Sequence, residues 1–264
     1  MSSLGRDVAE ALDPVLLARR IGWEPDDWQA AALRSSTPRV ALNVHRQGGK
    51  SQVAALKAIH CATYQPGSLV LVVSPSQRQS GELFRRILEM WRLMGRPVPT
   101  EAENQSRLEL ANGSRIVALP GDPETIRGHA AARLLIIDEA SRVSDDVMTA
   151  ARPMLAVSRG QLLAISTPRG RRGWWFKAAT EPKNGWEVTT VQASRSRRLS
   201  PEFLAGERAD MTDLDYRQEY ECQFVDGAGS LFAADDVFAA VVTATRRFDP
   251  EDDSPHALHA VATA

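Results

Sequence analysis

Residues 40–51 read Val40-Ala41-Leu42-Asn43-Val44-His45-Arg46-Gln47-Gly48-Gly49-Lys50-Ser51. A short apolar run enters a polar Gly-Gly turn and leaves through Lys-Ser into the helix-like Gln52–His60. A strand that passes through a glycine loop into a helix cradles phosphate. The backbone N–H groups of the loop and of the first helical turn point at the anion. Lys50 would reach the outer phosphates, and the Ser51 hydroxyl would complete the shell of a Mg²⁺ ion. The strict pattern asks for glycine at position 44, where this chain has Val44. Alone, the stretch also reads as a glycine-rich turn before a surface lysine, so its surroundings must decide.

Downstream, Leu69–Val73, Leu134–Ile137 and Gln161–Ile165 are continuous apolar runs, the pattern of strands buried on both faces of a parallel sheet. Helical spacing separates them over Gln52–Tyr64, Gln77–Met94 and Asp145–Leu155, the last interrupted at Pro153. The expected fold class is therefore α/β, a mainly parallel sheet flanked by helices. Leu108–Leu110 and Arg115–Leu119 flank Asn112-Gly113, a hairpin signal. Pro120–Arg133 reads as a loop, and Trp186–Gln192 alternates like a strand. Upstream, helical spacing over Leu4–Ile21 breaks at Asp13-Pro14, and a helix opens at Asp26-Asp27. Ser200–Asp210 and Asp213–Gln223 read as two further helices. Beyond Phe224 the chain is Gly- and Ala-rich, then acidic.

At 264 residues, 43% apolar and 25% charged, the chain can bury one large core with a small appendage. A net charge of −1 excludes a bulk polycation, so any nucleic-acid contact must be a local patch or patches pooled between subunits. Cys61 and Cys222 lack metal-ligand spacing and read as buried thiols of a reducing, cytosolic compartment. No apolar stretch approaches membrane-spanning length, so no membrane is expected as a partner.

In an open parallel sheet, ligands sit beyond the carboxyl ends of the strands. The tips Asp138-Glu139 and Ser166-Thr167-Pro168 should therefore share an edge with the glycine loop. Asp138 would hold Mg²⁺, and Glu139 would polarise an attacking water. Gln47, Gly48, Gly49, Lys50 and Ser51 would bind the phosphates of a nucleotide. Trp28 and Gln29 would bracket the adenine, or else serve as a core tryptophan beside a solvated amide. Hydrolysis needs positive charge on the transferring phosphoryl group, and Arg46 and Arg127 are the candidates. The alternatives are a plain surface turn for Arg127 and a salt-bridging loop residue for Arg46. Arg169, Arg171, Arg172 and Lys177 surround Trp174 and Trp175, and Arg195, Arg197 and Arg198 form a second basic cluster. Arg169, Arg171, Arg172 and Arg197 are the candidate DNA contacts. The competing reading packs the aromatics in the core with arginines on the rim.

Arg46–Ser51, Arg127-Gly128, Leu135–Ala140 and Ser166–Pro168 together resemble the ATPase half of tailed-phage large terminase subunits, viral DNA-packaging motors. In that family a loop of the form Arg-Gln-x-Gly-Lys-Ser is typical, so Val44 supports the match. Trp28-Gln29 is similar to its adenine-reading segment, and Tyr216–Phe224 to the segment closing its ATPase region. The likeness spans roughly Trp23 to Phe232, most of the chain. It implies a RecA-like sheet with the additional catalytic-glutamate strand. Residues 1–190 would form the P-loop ATPase core, 191–245 a lid subdomain, and 246–264 a linker towards an absent nuclease domain. It further implies ATP as the nucleotide, an arginine finger at Arg127, a phosphate contact at Arg46 and coupling of hydrolysis to motion by Ser166-Thr167-Pro168. The implied partners are double-stranded DNA, a homo-oligomeric ring of five subunits, the portal protein and the small terminase subunit. The implied location is the host cytoplasm, transiently at the procapsid portal vertex. Asp249, Glu251, Asp252 and Asp253 read as a solvated linker, and no nuclease activity is expected.

Two alternatives stand beside this reading. A superfamily 2 helicase-like remodeller would need a second RecA-like domain, which nothing after Phe224 supplies. A non-hydrolysing P-loop scaffold or DNA clamp would not need Lys50, Ser51, Asp138 and Glu139 together.

Overall fold

The computed structural model describes residues 3–181 and 185–226. The expectations for the linker, its carboxylate cluster and the last part of the lid concern residues 227–264 and lie outside them. The chain opens with α1 (Ser3–Leu12), α2 (Pro14–Arg20) and α3 (Asp27–Arg34). Asp13 separates the first two as the sequence implies: its carboxylate accepts from Val15 N, and Pro14 takes the first helical position, where an N–H is dispensable.

Next come β1 (Arg39–Val44), α4 (Lys50–Tyr64), β2 (Leu69–Ser74) and α5 (Gln77–Leu93). The excursion β3 (Thr100–Glu103), β4 (Arg107–Leu110) and β5 (Arg115–Pro120) follows, then α6 (Pro123–Arg127) and β6 (Leu134–Asp138). The chain continues through α7 (Asp145–Ala151), β7 (Gln161–Ser166), α8 (Gly173–Thr180), β8 (Glu187–Val191), α9 (Pro201–Asp210) and α10 (Asp213–Glu219).

All eight strands form one sheet in the order β3-β4-β5-β2-β6-β7-β1-β8. From β5 to β8 every neighbouring pair is parallel, and only β3-β4-β5 is antiparallel. β2 and β6 are buried along their whole length, which is why their sequences are unbroken apolar runs. Side chains alternate between two cores. Leu42, Val72, Ile136 and Leu163 pack with Leu56, Ile87 and Trp91 of α4 and α5. Ala41, Leu71, Ile137 and Leu162 pack with Met148, Trp174 and Trp175 of α7 and α8.

Three elements depart from the sequence expectation. Within the expected loop 120–133, α6 forms because Asp122 caps it at Thr125 N (3.0 Å), Pro123 takes its first position and Ile126 is fully buried. The sequence does not announce β3. Its residues Thr-Glu-Ala-Glu are mostly exposed and carry no apolar alternation, so only pairing with β4 defines it. α10 ends at Glu219 instead of Gln223. The chain beyond it bonds to other segments: Ala193 N donates to Tyr220 O (2.8 Å) and Asn43 Nδ2 to Cys222 O (3.3 Å).

Candidate nucleotide-binding site

β1 delivers the chain into the loop 45–49, which feeds α4. Gln47 (φ 63°) and Gly49 (φ 91°) turn through the left-handed region, and Gly49 stands at the N-cap of α4. The Val44 departure has a packing explanation. A Cβ on Gly48 would lie 2.5 Å from Val44 Cγ1, so the bare glycine makes room for the buried valine. Lys50 opens α4 at only 8% exposure, and its ammonium has no hydrogen-bond or ion-pair partner among the described residues. A buried, unpartnered cation beside a row of helix N–H groups favours an anionic ligand.

The carboxylates stand across β7, two strands from β1. Asp138 is 8% exposed and its Oδ1 has no hydrogen-bond partner. Burial first, then the neighbouring Glu139, push its carboxyl up to about 7, while Lys50 opposes them. Glu139 leaves the strand in the left-handed region (φ 49°), an unfavourable conformation for a side-chain-bearing residue that turns it away from the strand course. A hard dication fits here: an orphaned buried carboxylate oxygen and the Ser51 hydroxyl are oxygen donors of the kind Mg²⁺ takes. Of the nine buried side-chain polar atoms without a partner among the described residues, four lie at this edge: Asn43 Oδ1, His45 Nε2, Ser74 Oγ and Asp138 Oδ1. Unsatisfied groups gathered in one place mark a site that other groups complete.

The tip of β7 is tied to the carboxylate turn. Ser166 Oγ accepts from Ser141 N (3.1 Å) and donates to Ser141 Oγ (2.8 Å). Thr167 and Pro168 follow, both buried. The expected grouping of loop, carboxylates and Ser166 on one edge is thus present. Gln29 stands beneath the loop, fully buried. Its Oε1 accepts from Asp26 N (2.9 Å) and Arg198 Nη2 (3.2 Å), and its Nε2 donates to Gly48 O (3.5 Å). Trp28 is half-buried against the apolar core on the α4–α5 side of the sheet. Arg46 has an exposed side chain, while its backbone N–H donates to Glu219 O (2.9 Å). Arg127 is exposed at the end of α6. Neither arginine is hydrogen-bonded or ion-paired to Lys50, Asp138 or Glu139 among the described residues.

The basic cluster resolves in favour of core packing for its aromatics. Trp174 and Trp175 are buried in α8, and Trp174 Nε1 donates to Val143 O (2.9 Å), so neither indole is free to stack on a base. Arg169, Arg171, Arg172 and Arg197 are exposed around them or in the segment after β8, with Arg171 Nε donating to Phe224 O (3.3 Å). The sequence does not single out Arg198, His45, Asn43 or Ser74 as site residues. No local motif marks them. His45 is fully buried, with burial holding its imidazole below the ordinary value and Lys50 and Arg198 adding to the effect.

A glycine loop at the end of a parallel strand, with a carboxylate pair two strands away, defines a RecA-like P-loop domain. Within that class, the chain belongs to the large terminase subunit family: the family profile described as "Terminase large subunit, T4likevirus-type, N-terminal" matches residues 44–237. The large terminase subunit of Thermus phage G20c is 26% identical over 280 aligned positions, covering 91% of this chain and 57% of that protein. That of Escherichia phage T5 is 30% identical over 219 positions, covering 76% of this chain and 47% of that protein. The chain therefore spans about half the length of these curated relatives. The large terminase ATPase domain of Thermus phage P74-26 superposes with a TM-score of 0.70 at 26% identity, over 79% of this chain and 97% of that one. The large terminase of another thermophilic bacteriophage, in complex with ATP-gamma-S, shares the fold, with a TM-score of 0.62 at 12% identity over 75% of this chain and 52% of that one.

Proposed function

We propose that this chain is the ATP-hydrolysing motor part of a large terminase that drives double-stranded viral DNA into a procapsid. The observation that carries the reading is the opposed pair at the sheet edge: a buried, unpartnered Lys50 below the glycine loop, and Asp138-Glu139 on a strand two positions away. The loop N–H groups and Lys50 bind and orient the phosphates. Asp138 and Ser51 would hold Mg²⁺, which supplies charge neutralisation on the phosphate oxygens. Glu139 accepts the proton of the attacking water at its carboxylate. Arg46 lends charge from within the loop. Arg127, exposed at the end of α6, reaches into the site of a neighbouring subunit in a ring, of five members by family resemblance. Ser166, tied to Ser141 behind Glu139, passes the change at the carboxylate turn to the β7 tip, with Thr167 and Pro168. The lid subdomain is assigned to residues 191–245 and the linker to residues 246–264. Arg169, Arg171, Arg172 and Arg197 offer sequence-independent phosphate contacts to DNA. The portal and the small terminase subunit are the expected assembly partners, in the host cytoplasm at the portal vertex.

Phosphate release and ATP binding, measured together, test this. Glu139→Gln should lose turnover on the order of a hundred-fold or more while still binding ATP, and Lys50→Ala should lose binding. In mixtures shown to assemble, Arg127→Ala subunits should regain turnover beside Lys50→Ala subunits. Unchanged phosphate release in Glu139→Gln would overturn the hydrolytic reading, and absence of rescue would overturn the trans role of Arg127.

A further inference from the structure

The segment between β8 and α9 returns to the glycine loop and lays one side chain across it. A Cβ on Gly49 would meet Arg198 Nη1 at 2.5 Å and Gln29 Nε2 at 2.7 Å. The guanidinium therefore rests on the bare backbone of the loop, immediately before Lys50. Three side chains from two other segments hold it there. Arg198 Nη2 donates to Gln29 Oε1 (3.2 Å), Nη1 donates to Gln52 Oε1 (3.4 Å), and Nε pairs with Asp26 Oδ2 at 3.7 Å. Its side chain keeps 33% of its exposure.

These partners are unequal to the charge. Gln29 and Gln52 are neutral, and the Asp26 pair is long. A guanidinium carries five donors in a fixed fork and matches phosphate oxygens in two-point geometry. Its surroundings at the loop supply two side-chain amide oxygens and one distant carboxylate, and so leave the fork short of anionic acceptors. Lys50, which has no partner of its own among the described residues, follows Gly49 directly. Two adjacent cations at the start of a helix, one from α4 and one from outside the sheet core, form a divided anion clamp.

We propose that Arg198 is a nucleotide-contacting residue: it is parked on Gly49 by Gln29, Gln52 and Asp26 and turns its guanidinium to the phosphates of a nucleotide seated in the loop. The inference rests on the nucleotide-binding reading above and adds a contact from the segment leading to α9. It gives that segment a reason to respond to nucleotide. The chain on either side of that segment and of α9–α10 is already stitched to the glycine loop, since His45 N donates to Val191 O (3.0 Å) and Arg46 N to Glu219 O (2.9 Å). A contact that depends on phosphate would therefore be felt at both ends of the α9–α10 pair.

Calorimetric titration of the chain with ADP and with ATP, in magnesium chloride, tests the proposal. Arg198→Gln should weaken binding by on the order of ten- to a hundred-fold, the range of a charge-assisted hydrogen bond, with an unchanged melting temperature. Arg198→Lys keeps the charge without the fork and should fall between Arg198→Gln and the unsubstituted chain. Asp26→Asn releases the guanidinium from its ion pair and should leave binding unchanged or tighter. Arg198→Gln binding within two-fold of the unsubstituted chain overturns the proposal. So does an equal loss in Asp26→Asn, because a merely structural network would fail at either end. If the unsubstituted chain binds no nucleotide and Lys50→Ala behaves identically, the nucleotide-binding reading itself falls. Binding lost in Lys50→Ala but kept in Arg198→Gln removes Arg198 alone.

Discussion

β6 and the α9–α10 pair are held by opposite means. Every residue of β6 is buried, between β2 and β7 and between two apolar cores. No residue of α9 or α10 is buried. That pair is held by polar surface contacts centred on Arg208, which bonds Asp213 (2.7 Å) and Glu221 (3.2 Å) and lies over the Tyr216 ring at 4.6 Å. Tyr220 Oη adds a hydrogen bond to Glu207 (2.7 Å). Apolar burial in the sheet gives cooperative rigidity. Exposed ion pairs contribute little stability, so elements tied down by them open at low cost. The candidate catalytic carboxylates thus stand on the rigid part, and the helices that touch the glycine loop through Glu219 O belong to the compliant part.

The comparison can be broken first at its rigid end. Ile136→Ala, in the middle of β6 at 0% exposure, should cost about 2–5 kcal/mol of unfolding free energy. Denaturant titration would show it as a shift of the single main transition. A cost below about 1 kcal/mol, against the usual range for a buried large-to-small change, would mean the sheet is not the rigid half. An intermediate effect belongs to Lys57, whose ammonium donates to Ala32 O (3.0 Å), Leu33 O (3.2 Å) and Ser35 O (2.7 Å) at the end of α3. Burial holds it down to about 8, below its ordinary 10.5. Between those values the unfolded chain binds more protons than the folded one, so the contribution of Lys57 to stability rises with pH. Relative to Lys57→Met, the unsubstituted chain should gain up to about 3 kcal/mol between pH 8 and 10.5. A flat difference across that window would show the three carbonyls fully offsetting burial. The smallest effect is expected from Arg208→Ala, which should cost less than about 1 kcal/mol globally. Amide exchange should nevertheless quicken across residues 201–219 and stay unchanged in β6. Equal acceleration in both regions would remove the distinction between them.

Much of the site was legible because its residues are local in the chain. Gly49-Lys50-Ser51 and Asp138-Glu139 sit at strand ends whose apolar runs announce themselves, and parallel order then sends both to one edge. Legibility failed where apolar periodicity was absent or where partners came from far away. β3 is polar, and α6 is one short turn declared by Asp122-Pro123. The aromatics of residues 174–175 lie in the core, as one of the two sequence readings held, because Trp174 and Trp175 fill the layer above β6 and β7. Arg198 belonged to a basic cluster on paper. The fold sets it on Gly49.

From sequence alone follow the α/β class, the strand tips that carry chemistry, and the likeness to large terminases, because each rests on spacing within a few consecutive residues. Tertiary structure alone decided three matters: that β7 lies between β1 and β6, that Val44 is accommodated by the missing Cβ of Gly48, and that Arg198 meets the loop. These depend on contacts between segments distant in the chain. Packing selects such contacts from the excluded volume and unsatisfied polar groups of the whole sheet edge, and no stretch of sequence contains them.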